Sequence, residues 1–164
     1  MLITIGAIML LSLVIVRVNS GFLNTSTVLM DSKFGVMAVS LGTSVLEEAV
    51  GKAFDENTIV NSVASLTSLS SALGKNTGES YTSPTTPFDD FDDYNGLTTD
   101  TRADTTLKSA VFYISSVVGY VNASNADVFT TNRTWHKKII VTVTSPSMVD
   151  TVRLSQVYSY FYFR

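Results

Sequence analysis

Cysteine is absent from the chain. Its absence excludes disulfides, zinc–thiolate sites and cysteine nucleophiles together, and leaves the compartment open, because a surface protein can do without disulfides. Histidine is nearly absent: His136 is the single one, so a Ser-His-Asp triad could be built only around it. It stands in Trp135-His136-Lys137-Lys138 at a strand entrance. Nothing in the sequence supplies a nucleophile and an orienting carboxylate for it, so it reads as an exposed strand-edge histidine. Basic residues are few: eleven Lys and Arg stand against fourteen Asp and Glu, a formal net charge of −3. Without a basic stripe, nucleic-acid binding has no electrostatic footing. No P-loop, GxGxxG or zinc-spaced motif appears. No catalytic residue is expected, and the chain reads as non-enzymatic.

What the chain does have is a long apolar start. Residues 1–16, MLITIGAIMLLSLVIV, carry no charge and only Thr4 and Ser12 as polar side chains; Arg17 ends the run. Leu2, Ile3, Ile5, Ile8, Leu10, Leu11, Leu13, Val14 and Val16 are its candidate packing residues. Sixteen helical residues span about 24 Å, short of the roughly 30 Å of a bilayer core, unless Arg17 snorkels and the helix carries on through Val18. Three readings compete: a secretory signal peptide, a plain membrane anchor, or the start of a processed chain whose helix sits first in the membrane and later in a filament core. A signal peptide wants a basic n-region and a small-residue cleavage site, and neither is evident.

The helical pattern resumes after a polar break at Asn19, Ser20 and Gly21. Phe34, Met37, Ala38, Leu41, Val45, Ala49 and Phe54 recur at three- and four-residue spacing, one face of a helix. Glu48 and Lys52 are placed for an i,i+4 pair. Gly35, Ala38 and Gly42 put small residues along one surface, where a second helix could approach closely. A helix from Leu2 to Phe54 would span roughly 80 Å. A compact domain of this length has a radius of gyration of about 15 Å, so such a helix must find partners outside its own domain. The boundary falls there: residues 1–54 form the helix and residues 55–164 a globular head.

Within the head, Ile59, Val63, Leu66, Leu69 and Leu73 recur near helical spacing and predict a second, weaker helix over 57–74, stopped by Gly74. Residues 75–107, polar and holding Pro84 and Pro87, predict a long loop. Three strands are then expected: 111–121, 138–144 and 152–163, with Ser145-Pro146-Ser147 as the last turn. The last strand puts Val152, Leu154, Tyr158, Tyr160 and Tyr162 on one face and Val157, Phe161 and Phe163 on the other. The fold class is α+β: an antiparallel sheet whose apolar face needs a cover. The C-terminal half of the long helix, through Phe34, Met37, Leu41, Val45 and Phe54, is the candidate cover.

Three features of the head could carry chemistry. Asp89, Asp90, Asp92 and Asp93, followed by Asn95 and Gly96, offer oxygen ligands for calcium, although the spacing and terminal Glu of an EF-hand are missing. The alternative is a solvated acidic turn whose Asp side chains bond nearby amides. Trp135 and the C-terminal Tyr/Phe run are either a sugar- or surface-binding platform or core and subunit interface. Asn24, Asn122 and Asn132 each open an N-x-Ser/Thr tripeptide, the N-glycosylation pattern. That pattern arises easily by chance in so Ser/Thr/Asn-rich a chain, and the Ser/Thr-rich stretch 62–86 could carry O-linked sugars instead.

The layout and local sequence resemble type IV pilin-like proteins. Ser44-Val45-Leu46-Glu47-Glu48 with Lys52-Ala53-Phe54-Asp55-Glu56 resembles the end of the long helix in minor pilins of the MSHA type. Leu73-Gly74, Gly78-Glu79 and Phe91-Asp92-Asp93-Tyr94-Asn95-Gly96 resemble the loop that follows, and 138–144 resembles their penultimate strand. The resemblance touches most of the chain through short motifs. It implies a structural subunit of an extracellular filament, inserted in the inner membrane before an assembly machinery polymerises it with copies of itself. A minor pseudopilin of a secretion system is the near variant; a monomeric membrane-anchored binding module is the reading from another class. Pilin-like proteins typically carry a glutamate at mature position five, preceded by a basic leader ending in Gly. Position five here is Ile5. A buried N-terminal amine would then need methylation, solvent or Thr4 as its partner.

Overall fold

The computed structural model describes residues 2–104, 107 and 109–161, with Leu2 in backbone alone. The Leu2 side chain, Tyr162 and Phe163 therefore lie outside the described residues. One long helix, α1 (Leu2–Val50), packs by its C-terminal half on a small antiparallel sheet. The strands are β1 (Thr98–Asp100), β2 (Tyr113–Asn122), β3 (Asn125–Thr130), β4 (His136–Thr144) and β5 (Val152–Ser159). They run in the order β1-β2-β4-β5, and β3 also pairs β2. β1 pairs the start of β2 and β3 pairs its end.

α1 is continuous through Asn19, Ser20 and Gly21, where a polar break was expected. Serine and threonine along it bond their own helix rather than competing with it: Ser12 donates to the Ile8 carbonyl, Thr25 to Gly21 and Thr27 to Leu23, at 2.9–3.0 Å. The helix stops at Val50, four residues before Phe54. Gly51 follows, and the chain is then drawn sideways: the Ala53 amide donates to the Asp89 carbonyl and the Phe91 amide to the Ala53 carbonyl. Lys52 thus lies beyond the helix end, and the Glu48 carboxylate accepts instead from the Tyr81 hydroxyl at 3.1 Å.

Phe34, Ala38, Gly42, Val45 and Ala49 form the buried stripe of α1. Their partner is the sheet, not a second helix. A Cβ on Gly42 would stand 2.9 Å from Leu154 Cδ1 and 3.4 Å from Val143 Cγ2, so the missing side chain is what lets β4 and β5 come so close. Met37 and Leu41 flank the stripe, partly buried. Across the sheet, Ile114 stands opposite Val143, Ser116 opposite Val141 and Val118 opposite Ile139. All six are buried, and Val152 and Leu154 of β5 continue the same face. That period of two is what a half-covered sheet requires.

The second helix expected over 57–74 does not form. The segment holds two short 3-10 turns, Glu56–Thr58 and Leu66–Ser68. Its polar side chains take the backbone partners a helix would need. Asp55 caps the first turn and also accepts from the Ser70 amide, and Ser65 caps the second. Residues 75–107 are no simple loop either: they contain a 3-10 turn at Asp92–Tyr94 and the strand β1. Asn95 fixes this stretch to its neighbours, donating to the Leu73 carbonyl and accepting from the Val118 amide. Gly96 turns the chain into β1 at φ +79°, a left-handed conformation that a side chain would disfavour.

Candidate functional site

Among the described residues, the exposed large apolar side chains concentrate on the front of α1. Ile3, Ile5, Ile8, Leu10, Leu11, Leu13, Val14 and Val16 are 50–87% exposed. The exposure goes on through Phe22, Leu23, Val28, Leu29 and Met30. Apolar side chains look out on every side of the helix, which is a pattern for burial all round and not for one wetted face. The first tie to the head is at Asp31, whose Oδ1 accepts from the Val149 amide at 3.3 Å; Phe34 is the first buried side chain. Residues 3–30 thus make a free rod of about 42 Å. By length and composition α1 can cross a membrane.

Phe54 belongs to a second, smaller cluster with Leu69, Tyr120 and Tyr160, against which Trp135 packs. Trp135 stacks on Tyr160 with ring centroids 5.1 Å apart, and Phe161 tilts against both rings. The Tyr160 ring is thereby built into packing inside the head. His136 is half-buried, its Nδ1 2.7 Å from the Ser159 hydroxyl. Asn24, Asn122 and Asn132 are all exposed, Asn24 on the free rod itself.

Under this cluster lies a buried ionic group. The Lys137 ammonium is wholly enclosed and uses its three donors on the Phe54 carbonyl at 2.8 Å, Asp55 Oδ2 at 2.8 Å and Asp92 Oδ1. The Phe54 and Tyr120 rings sit 4.4 and 5.1 Å from it. Burial pushes the Asp55 carboxyl up, but Lys137 and the Ser70 and Asn57 amides outweigh it and leave it below its ordinary value. Asp92 goes the other way: burial raises it to about 7 against the pull of Lys137. Asp90 is raised to about 8, by burial first and then by Asp92 and Asp93. This group ties the end of α1, the 55–70 segment, the acidic turn and β4 at one point. In the sequence Lys137, Asp55 and Glu79 stand only as members of longer motifs, with no role of their own. The signal for Lys137 was available: it shares parity with Ile139, Val141 and Val143 and so had to face the core.

The acidic turn has the expected bonds from Asp side chains to nearby amides, but it is buried and not solvated. Asp90, Asp92 and Asp93 are buried, and Asp89 is exposed. Asp90 Oδ1 accepts from the Asp92 and Asp93 amides at 2.6 and 3.1 Å, and Asp93 Oδ2 from the Asp89 and Asp90 amides at 2.9 and 3.2 Å. Asp92 turns to Lys137. Asp89 and Asp93 meet Glu79 in one carboxylate triad, and Asp89 and Asp90 meet Glu56 in another.

Compared with protein-family models, curated proteins and solved structures, the chain matches none.

Proposed function

We propose that the protein is a structural subunit of an extracellular type IV pilus-like filament, held in the membrane by α1 before assembly. The supporting observation is the exposed rod over residues 3–30, with large apolar side chains on all sides and Arg17 as its one charge. Exposed large apolar side chains recur from Ile3 to Met30, over about 42 Å and interrupted by Arg17, Asn19, Ser20 and residues 24–27, whereas a bilayer core covers roughly 30 Å. A bundle of like helices accommodates the whole of the rod. Lipid and bundle are similarly apolar, so moving the rod between them costs little, and close packing decides the outcome. Backbone groups are already paired within the helix, and Ser12, Thr25 and Thr27 bond carbonyls of the same helix. The head and its polar segments then coat the filament.

The same helix favours a second reading, since it is long enough to anchor the head alone as a surface binding module. Electron microscopy of material sheared from the source cells, with mass spectrometry of the fibres, separates the two. Fibres built mainly of this chain are expected. Recovery of the chain from the membrane fraction only, with none in fibres, would overturn the main-subunit reading.

A further inference from the structure

Asp93 is 1% exposed. Its Oδ2 accepts two amides, but its Oδ1 is buried with no hydrogen-bond partner. Carboxylate oxygens of Glu79, Asp89 and Asp93 all lie within 4.8 Å of one another. Among the described residues, none of the three pairs with a Lys, Arg or His; the four ion pairs present involve Asp100, Asp55, Asp92 and Asp127. Three carboxylates at this separation repel, and the repulsion grows as water is excluded.

We propose that Glu79, Asp89 and Asp93 bind a hard divalent cation of calcium type, with the free Asp93 Oδ1 as a ligand. Oxygen-only ligands of this charge suit calcium, which takes six to eight oxygens in flexible geometry; magnesium demands a tighter octahedron. Waters fill the remaining positions. An open cleft of about 310 Å³, lined by Lys75, Ser80, Tyr81 and Asn95 among others, reaches Asp93, the one member of the triad that lines it. The Glu56, Asp89 and Asp90 triad shares Asp89 with this one. The cation joins Glu79, on the 75–88 segment, to the turn that packs under β2. Asp92 takes no part, because Lys137 holds it.

The test uses the full chain in detergent micelles, stripped with EGTA and titrated with calcium chloride by calorimetry and thermal unfolding. Saturable binding of calcium is expected, with a rise in Tm of about 4 °C or more at saturation. Magnesium at the same concentration should give less than half that shift. Glu79→Gln keeps an oxygen for the Asn76 amide, which now donates to Glu79 Oε2 at 2.7 Å. It should fold as before and bind calcium at least about tenfold more weakly, as expected when a ligand charge is lost. Asp93→Asn should also lose binding, and Glu79→Gln stands in if that variant fails to fold. Absence of heat and of any Tm shift up to about 10 mM, above the range of weak extracellular sites, would overturn the proposal. So would wild-type affinity in Glu79→Gln.

Discussion

Lys137 occupies a position where β4 otherwise buries Ile139, Val141 and Val143. Its charge is tolerated because every donor has an oxygen and because two carboxylates share the enclosure. Removing only the lysine leaves Asp55 and Asp92 buried and uncompensated. Lys137→Met should therefore cost about 3–5 kcal/mol, read from denaturant midpoints of the detergent-solubilised chain. Restoring neutrality with Asp55→Asn and Asp92→Asn in the same chain should recover part of that loss; no recovery would mean that the packing of the lysine stem, and not its charge, matters. Single residues were partly legible in sequence. The aspartates at 89–93 stood out by composition, but their division between Lys137 and Glu79 depends on contacts 45 residues and ten residues or more away in the chain, which local spacing does not encode.

At the scale of elements, periodicity carried information wherever one face is buried. The C-terminal half of α1 and the strands β2 and β4 alternate at the period of their own backbone; β5 does so only as far as Leu154 and ends at Ser159, short of the 152–163 expected. β3 could not be read this way: its two large apolar residues, Val128 and Phe129, are both exposed, and Phe129 lies over Gly119 of β2. The segment 57–74 carried a misleading helical spacing, because side-chain caps from Asp55 and Ser65 won the backbone amides. The small residues of α1 suit either a second helix or a sheet, and Ala38 and Gly42 meet the sheet. Gly42→Leu should push α1 off Leu154 and Val143 and destabilise the head by about 1–3 kcal/mol, as overpacked cores do. Gly35→Ala is the control: no atom lies within 4 Å of an added Cβ there. It should leave the thermal midpoint unchanged or raise it, since alanine is the better helix former by about 1 kcal/mol.

For the molecule as a whole, the expectation is a division of labour between rod and head. A chain starting at Asp31 keeps Phe34 and the rest of the buried stripe. It should fold, stay monomeric without detergent by analytical ultracentrifugation, and form no fibres. Leu11→Asp, on the rod and 61% exposed in the isolated chain, should leave the head's circular dichroism and melting intact while abolishing fibres. The penalty is a charge placed at the centre of an apolar segment, about 2.5–3.5 kcal/mol in lipid. Fibres of normal length from that variant would mean that this stretch of the rod is not packed against neighbours. Ile5→Glu puts the expected glutamate of pilin-like proteins at that position; unchanged or improved fibre yield is the outcome the filament reading predicts.

The place where α1 leaves the head has a mechanical consequence. Tension between rod and head does not unzip the sheet strand by strand. It enters at residues 34–49, where side chains from one helix lie across β4 and β5, and loads that seam in shear. Just past Val50, the Ala53 bonds to the 89–91 segment and the Lys137 clasp on Phe54 and Asp55 act as an anchor behind the seam. Resistance to pulling is set by the rate of crossing an unfolding barrier and not by equilibrium stability. Two interlocks in series, one on the helix and one just past its end, make a coupling that can hold a load for far longer than its modest free energy would suggest.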